Sequence, residues 1–316
     1  MNRPPRSAPV RWAPVVFFAV LVIAALTAAA IHFASGDDRG ETRAEPIDDG
    51  DETPAAPIGS KPGLERATVW AVGDGADGDD GSRQVAALID PAATDRFLYL
   101  GDVYDTGTAT EFATNYAGVY GTLDPITAPT PGNHEVENMA EGYDAYWAQA
   151  LGAELPAYYR FELAGWEILS LSYTGEQPVR ADQLEWLRTE LAEPGTCRLA
   201  FWHAPRYSAG ANHGDDPGAE QLWALLEDHA RIVLNAHEHT YQRFAEIRGI
   251  TEIIAGAGGH ELYEVDAADP RLAFSEDSEY GALRLELEPG SAAFAYVTAA
   301  GRTIDRGSVD CVPVTA

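Results

Sequence analysis

The alternation of apolar and polar positions divides the chain into three stretches. Residues 12–31 carry no charge, residues 35–63 carry almost no large apolar group, and from Leu64 onward short apolar runs alternate with helical patterns. In that last stretch Thr68–Val72 reads as a strand ending in Gly73-Asp74, and Gln84–Ile89 as a helix stopped near Pro91. Arg96–Leu100 is a second strand run, Thr108–Tyr120 an aromatic-rich helix behind a cap-competent Thr, and Ile126–Thr130 a third strand. Tyr143–Leu151 is helical; Tyr158–Leu163 and Trp166–Leu171 form a hairpin across Ala164-Gly165. Ala181–Ala192 and Ala219–His229 are helices, separated by the strand Arg198–Trp202, and Ile232–Leu234 is a further strand. Past His239 the pattern is all β: Tyr241–Ile247, Ile250–Ala255, Ala282–Glu288 and Ala292–Val297. Strand–helix alternation followed by a meander predicts an α/β domain on mixed sheets, two of them packed together, over 64–316.

The first two stretches predict export. As a helix, Trp12–Ile31 spans about 30 Å, the thickness of a bilayer core. Arg3, Arg6 and Arg11 precede it and acidic residues follow, which places the N-terminus in the cytoplasm and the rest outside. Residues 1–34 therefore read as a transmembrane anchor, favoured by length, or as a signal peptide cut near Ala28–Ala30. The eight acids, prolines and glycines of 35–63 make a flexible, self-repelling linker. In an exported domain Cys197 and Cys311 can form a disulfide; two separate buried thiols are the alternative.

Composition narrows the partners. With 21 Lys+Arg against 50 Asp+Glu among 316 residues, the net charge is −29. That excludes coating nucleic acid and argues against charge-driven docking on anionic lipid, leaving the apolar N-terminal segment as the expected membrane contact. Lys61 is the one lysine. GC-rich coding explains this, and salt adaptation is the second explanation.

The candidate chemistry lies just past predicted strand ends, where open α/β sheets place ligands. Five segments stand there: Gly73-Asp74, Gly101-Asp102-Val103-Tyr104-Asp105, Gly132-Asn133-His134-Glu135, Trp202-His203-Ala204-Pro205 and Ala236-His237-Glu238-His239. They supply two carboxylates, a carboxamide and four imidazoles, a donor set that suits Zn, Fe, Mn or Co. In extended chain His237 and His239 point the same way. Glycine before each Asp and before Asn133 would permit the turn that aims the next side chain.

This ordered series resembles the calcineurin-like metallophosphoesterases, most closely their purple acid phosphatase-like branch, from about Thr68 to Gly259. The resemblance implies a four-layer sandwich, two mixed β-sheets flanked by helices, with a dinuclear metal site at the C-terminal strand ends. It implies that Asp74 and His239 bind one metal, that Asn133, His203 and His237 bind the other, and that Asp102 bridges them. His134 would sit over the phosphate as a catalytic group. The metals would be Fe, Zn or Mn, and the activity hydrolysis of small phosphate esters, phosphomonoesters favoured.

The chain departs from that pattern. Purple phosphatases have a tyrosine three residues after the Gly-Asp aspartate; here Asp105 stands there and Tyr104 comes one residue early, so Tyr104 either ligates through a shifted loop or packs. Asp74 lacks the following ligand His of the Asp-x-His branch, and Ala236 replaces the usual Gly. His213 borders the substrate in the resemblance and is a second catalytic candidate, with a solvent-exposed loop residue as the alternative. Arg206 is a phosphate contact or a surface ion pair, Glu135 and Glu238 orient imidazoles or lie exposed, and Tyr241 and Arg243 support the site from behind. Gly256–Gly259 reads as a turn near the site; His32 and His229 read as uninvolved. The rival function is an exported binding module that keeps metals for structure and turns nothing over.

Overall fold

The computed structural model of the protein describes residues 58–192 and 197–311. The chain runs through β1 (Ala67–Val72), α1 (Asp80–Ala86), β2 (Arg96–Tyr99), α2 (Ala109–Glu111) and, after a π turn, α3 (Ala117–Tyr120). β3 (Thr127–Pro129), α4 (Ala145–Leu151), β4 (Tyr159–Leu163), β5 (Trp166–Ser170), α5 (Ala181–Glu190) and β6 (Cys197–Phe201) follow. Next are α6 (Glu220–Leu226), β7 (Ile232–Asn235), β8 (Tyr241–Phe244) and β9 (Thr251–Ala255). The last four strands are β10 (Leu272–Glu276), β11 (Gly281–Glu288), β12 (Ser291–Thr298) and β13 (Thr303–Asp310).

Two mixed sheets form, ordered β13-β12-β11-β1-β2-β3 and β10-β8-β9-β7-β6-β5-β4. β1, β2 and β3 are mutually parallel, as are β5, β6, β7 and β9. These central strands are buried on both faces, so they carry continuous apolar runs instead of a two-residue alternation. Between the sheets Val69, Ala71 and Leu98 meet Ile168, Leu199, Phe201 and Ile253. Outside the first sheet, Trp70, Phe97 and Tyr99 pack on Val85, Tyr116, Tyr120 and Trp147 of the helical side. Outside the second, Leu169, Trp202 and Val233 pack on Leu184 and Leu187 of α5 and Leu222 and Trp223 of α6. The result is the expected four-layer sandwich, helix–sheet–sheet–helix.

Several expectations shift. The first helix lies earlier than Gln84–Ile89 because Asp79 caps it, its carboxylate accepting from the Ser82 N–H at 2.9 Å. β10 and β13 were not anticipated. The end of the stretch read as linker is part of the fold: Ile58 is buried in the core, Arg96 donates to the Gly59 carbonyl at 2.6 Å, and the Lys61 N–H donates to the Glu162 carbonyl at 2.7 Å. Cys197 and Cys311 are disulfide-bonded and tie the start of β6 to the end of β13. Among the described residues no helix is long and apolar enough to cross a membrane. The run 12–31, read as anchor or signal, lies outside those residues, as does His32.

Candidate metal centre

The loops that follow β1, β2, β3, β6 and β7 converge at one edge of the sandwich. Asp74, Asp102 and His203 are buried there, and Asn133 and His237 are half-buried. Asp74, Asp102 and His237 adopt left-handed backbone, with φ of 55°, 70° and 70°. For residues other than glycine that costs of order 1 kcal/mol or more each, and such strain concentrates at functional sites. The turn conformation expected of the preceding glycines is thus partly taken by the functional residues themselves. The glycines serve close approach instead. A Cβ on Gly132 would stand 2.0 Å from Asp102 Oδ1, and one on Gly73 would stand 2.3 Å from the Cβ of Ala236. Ala236, where purple phosphatases have glycine, fits because its neighbour is Gly73.

Two constellations share Asp102. In the first, the Tyr104 hydroxyl lies 3.2 Å from Asp74 Oδ1, 3.4 Å from Asp102 Oδ2 and 2.9 Å from His239 Nε2. The one-residue shift of the tyrosine therefore leaves its hydroxyl inside the site. In the second, Asn133 Oδ1 lies 2.9 Å from His203 Nε2 and 2.8 Å from His237 Nδ1. His203 Nε2 is also 3.3 Å from Asp102 Oδ2. Asp102, His203 and His237 place one donor atom each within 4.8 Å of one another, close enough to hold a metal ion.

Backbone carbonyls set the tautomers. His203 Nδ1 donates to the Leu100 carbonyl at 2.8 Å and His239 Nδ1 to the Glu261 carbonyl at 2.7 Å, so both turn Nε2 inward. His134 Nδ1 donates to the Asp105 carbonyl at 2.5 Å, and its Nε2 stands 3.9 Å from Asp102 Oδ2. The His134 N–H donates to Asp102 Oδ1 at 3.0 Å, which places the ring over the centre but outside both constellations. The exposed His213 ring lies across His237, centroids 4.1 Å apart.

The field fits cations. Burial lifts Asp74 well above the ordinary carboxyl range, and neighbouring Asp102 adds to the lift. Burial would raise Asp102 too, but the His203 charge outweighs it and holds the group below its usual range. Burial works against charge on His203, yet Asp102 and Asp74 lift it to about 9. Burial, then the charge of His203, pushes His237 down to about 2, and burial pushes His239 down to about 3. His237 and His239 are thus neutral imidazoles, and with His203 and two buried carboxylates they form a donor set that suits Zn, Fe or Mn. Among the described residues no Lys or Arg is paired with Asp74 or Asp102; their ion-pair partners are histidines.

Glu135 and Glu238 are buried, and both bind backbone instead of orienting imidazoles. Glu135 accepts from the N–H groups of Asp102 at 3.1 Å, Gly132 at 2.5 Å and Val103, lacing the second and third motifs together. Glu238 Oε1 accepts from His213 and Gly214 N–H groups, both at 2.8 Å, and so holds the His213 loop against the His237–His239 turn. Arg206 pairs with Glu220 at 2.6 Å, the surface ion pair of the two readings. Tyr241 and Arg243 bond Asp305 of β13 at 2.8 and 2.7 Å, so they join the two sheets and do not back the site. The Gly256–Gly259 turn does touch it: a Cβ on Gly256 would stand 2.5 Å from Asp74 Oδ2. His229 is exposed on the helical side and makes no contact with the centre.

Sequence reasoning missed two aromatic supports. His260 stacks on Tyr104 with centroids 3.8 Å apart and bonds Asp77 Oδ2 at 3.1 Å. Tyr263 stacks on His239 at 3.9 Å. A histidine directly after the Gly256–Gly259 turn was the available signal.

The model of the calcineurin-like phosphoesterases matches residues 67–241, more than half of the chain and all the residues of both constellations. The chain belongs to this family. Within it, the chain is similar to the purple acid phosphatases. It is 29% identical over 175 residues to purple acid phosphatase 15 of Arabidopsis thaliana, an alignment covering 46% of this chain and 33% of that protein. It is 31% identical over 103 residues to a probable cyclic nucleotide phosphodiesterase of Synechococcus, covering 30% of this chain and 40% of that one. The chain thus spans well under half of these curated relatives. In fold it is similar to the yellow lupin purple acid phosphatase PPD1, with a TM-score of 0.64 and 16% identity, over 82% of this chain and 55% of that one. GAP50, described as the anchor in the inner membrane complex of Plasmodium, shares the fold at a TM-score of 0.62 and 15% identity, over 78% of this chain and 90% of that one.

Proposed function

We propose that the protein is an extracytoplasmic metallophosphoesterase that hydrolyses small phosphate esters, phosphomonoesters first, at a two-metal centre. The observation that carries this reading is the pair of constellations sharing Asp102. Asp74, Tyr104 and His239 would hold one ion; Asn133, His203 and His237 would hold the other; Asp102 would serve both. Metal ions there would supply Lewis acidity toward the phosphoryl oxygens and a lowered pKa for an attacking water. The chain's own contribution is orientation. Glu135 fixes the loops that carry Asp102 and Asn133. His134 keeps Nδ1 on a carbonyl and leaves Nε2 to stabilise phosphoryl charge or protonate the departing alcohol oxygen. The disulfide and the apolar run 12–31 support a location outside the cytoplasm.

The fold is shared by proteins described in different terms, as a phosphatase for yellow lupin PPD1 and as an anchor for GAP50, so the reading of turnover rests on the site. His134 separates the two readings, because it stands outside both constellations. Full-length His134→Ala should retain the wild-type metal content and lose at least 100-fold in kcat on aryl phosphate monoesters. Unchanged turnover in that variant would overturn the role given to His134, and metal binding without turnover in the wild type would support the binding module.

A further inference from the structure

Two clefts open beside the centre and meet at Asn133 and Glu176, which line both. The larger, about 490 Å³, runs under His213; the smaller, about 310 Å³, runs past His134. Both are within the size range of small-molecule sites, roughly 300–1,000 Å³. Their charge is one-sided. Glu176, Asp215 and Asp216 line the first cleft, and Asp105, Glu137 and Glu176 the second, with no Lys or Arg in either lining.

Two of the five carboxylates are already engaged. Asp215 pairs with Arg271 at 2.8 Å, and Asp216 accepts from the Tyr173 hydroxyl at 2.6 Å. The arginines nearby are also committed, Arg206 to Glu220 and Arg180 to Asp182. Glu176 is exposed in the turn after β5, and no hydrogen bond or ion pair engages its carboxylate among the described residues. A phosphate ester seated at the centre would therefore project its alcohol part into a space with uncompensated negative charge and no cation to receive a second anionic group.

Resting on the phosphoesterase reading, we propose that these clefts select a phosphate ester whose alcohol carries an ammonium group, and that Glu176 recognises that group. Esters with a second anionic group, such as nucleotides or phosphorylated acids, are disfavoured. In the reaction, the oxygen of a water bonds to phosphorus as the phosphorus–oxygen bond to the alcohol breaks. A proton of that water ends on the alcohol oxygen, which yields an amino alcohol and inorganic phosphate.

The test uses three phosphonates of matched length, which bind but are not hydrolysed: 2-aminoethyl-, propyl- and 2-carboxyethylphosphonate. Their affinities for the full-length, metal-loaded protein are measured by calorimetry at low and high salt. A unit charge some 7 Å from a carboxylate in a half-wet cleft changes affinity roughly five- to tenfold, less as salt rises. The expected order is aminoethyl, then propyl, then carboxyethyl, about tenfold or more from end to end and compressed by salt. Glu176→Gln should flatten the order and Glu176→Lys should invert it. Glu185→Lys, an equal charge change on the exposed side of α5, should leave it intact. Equal or reversed affinities in the wild type, a Glu185→Lys effect as large as that of Glu176→Lys, or no binding of any phosphonate would overturn the inference. Turnover of aryl phosphates by the same samples reads the proposed activity separately: its loss with the order intact would sink the hydrolase and spare the selectivity.

Discussion

At the residue scale, the centre depends as much on buried carboxylates that bind backbone as on the groups that face the metal positions. Glu238 is the sharpest case. It lies between His237 and His239, is fully buried, and spends one oxygen on the N–H groups of His213 and Gly214. Each N–H left unpaired by truncation costs about 1–3 kcal/mol where water cannot reach it. Glu238→Ala should loosen the His213 loop and raise KM several-fold, with a smaller change in kcat and no loss of metal. Glu238→Gln keeps an acceptor oxygen and should recover most of the KM. Steady-state kinetics with metal analysis checks both, and a fall in kcat at constant KM would contradict the positioning role. That role was hidden in the sequence, because a Glu between two histidines has the same letters whether it faces solvent, an imidazole or a backbone loop. Asp74, Asp102, Asn133, His203 and His237 were legible, since each follows an apolar strand run by one to four residues.

At the element scale, the site exists because strand ends from both sheets meet with almost no side chain between them. Gly73 after β1 faces Ala236 after β7, and a second methyl at this contact would lie 2.3 Å from the first. Gly73→Ala should therefore destabilise the domain by about 1–3 kcal/mol, the usual cost of overpacking. Adding Ala236→Gly should recover part of that loss, because it removes the opposing methyl. Thermal unfolding of the three variants measures the coupling; strictly additive losses would show that the two loops do not press on each other. The central strands were readable because burial on both faces makes them continuously apolar. β13 was not: its pattern is mostly exposed, and it pairs only with β12 at the sheet edge. β10 likewise lies at an edge with partly buried residues. His260 reaches Tyr104 through the packing of loops far apart in the chain, a contact that no local pattern encodes.

At the scale of the whole molecule, one covalent link and a strong negative field frame the site. The Cys197–Cys311 disulfide closes a separation of 114 residues and joins one sheet to the other. In the chain-entropy account, such a loop restrains the unfolded chain by about 4–5 kcal/mol, and removing a native disulfide costs about 2–5 kcal/mol. The Cys197→Ala/Cys311→Ala pair should lower the denaturant midpoint by a corresponding amount. A midpoint unchanged from that of the oxidised wild type would show that the link carries no stability. The net charge of −29 and the buried Asp74 and Asp102 together call for cations at one place, the edge where the two constellations share a carboxylate. Counting metals tests that claim most directly. The full-length protein, incubated with Fe, Zn or Mn and desalted, should carry about two ions per chain by mass spectrometry. Asp102→Asn should lose at least one of them, together with turnover of aryl phosphates. A folded wild-type protein that holds no metal, or an Asp102→Asn protein that keeps both ions and full turnover, would contradict a shared two-metal centre.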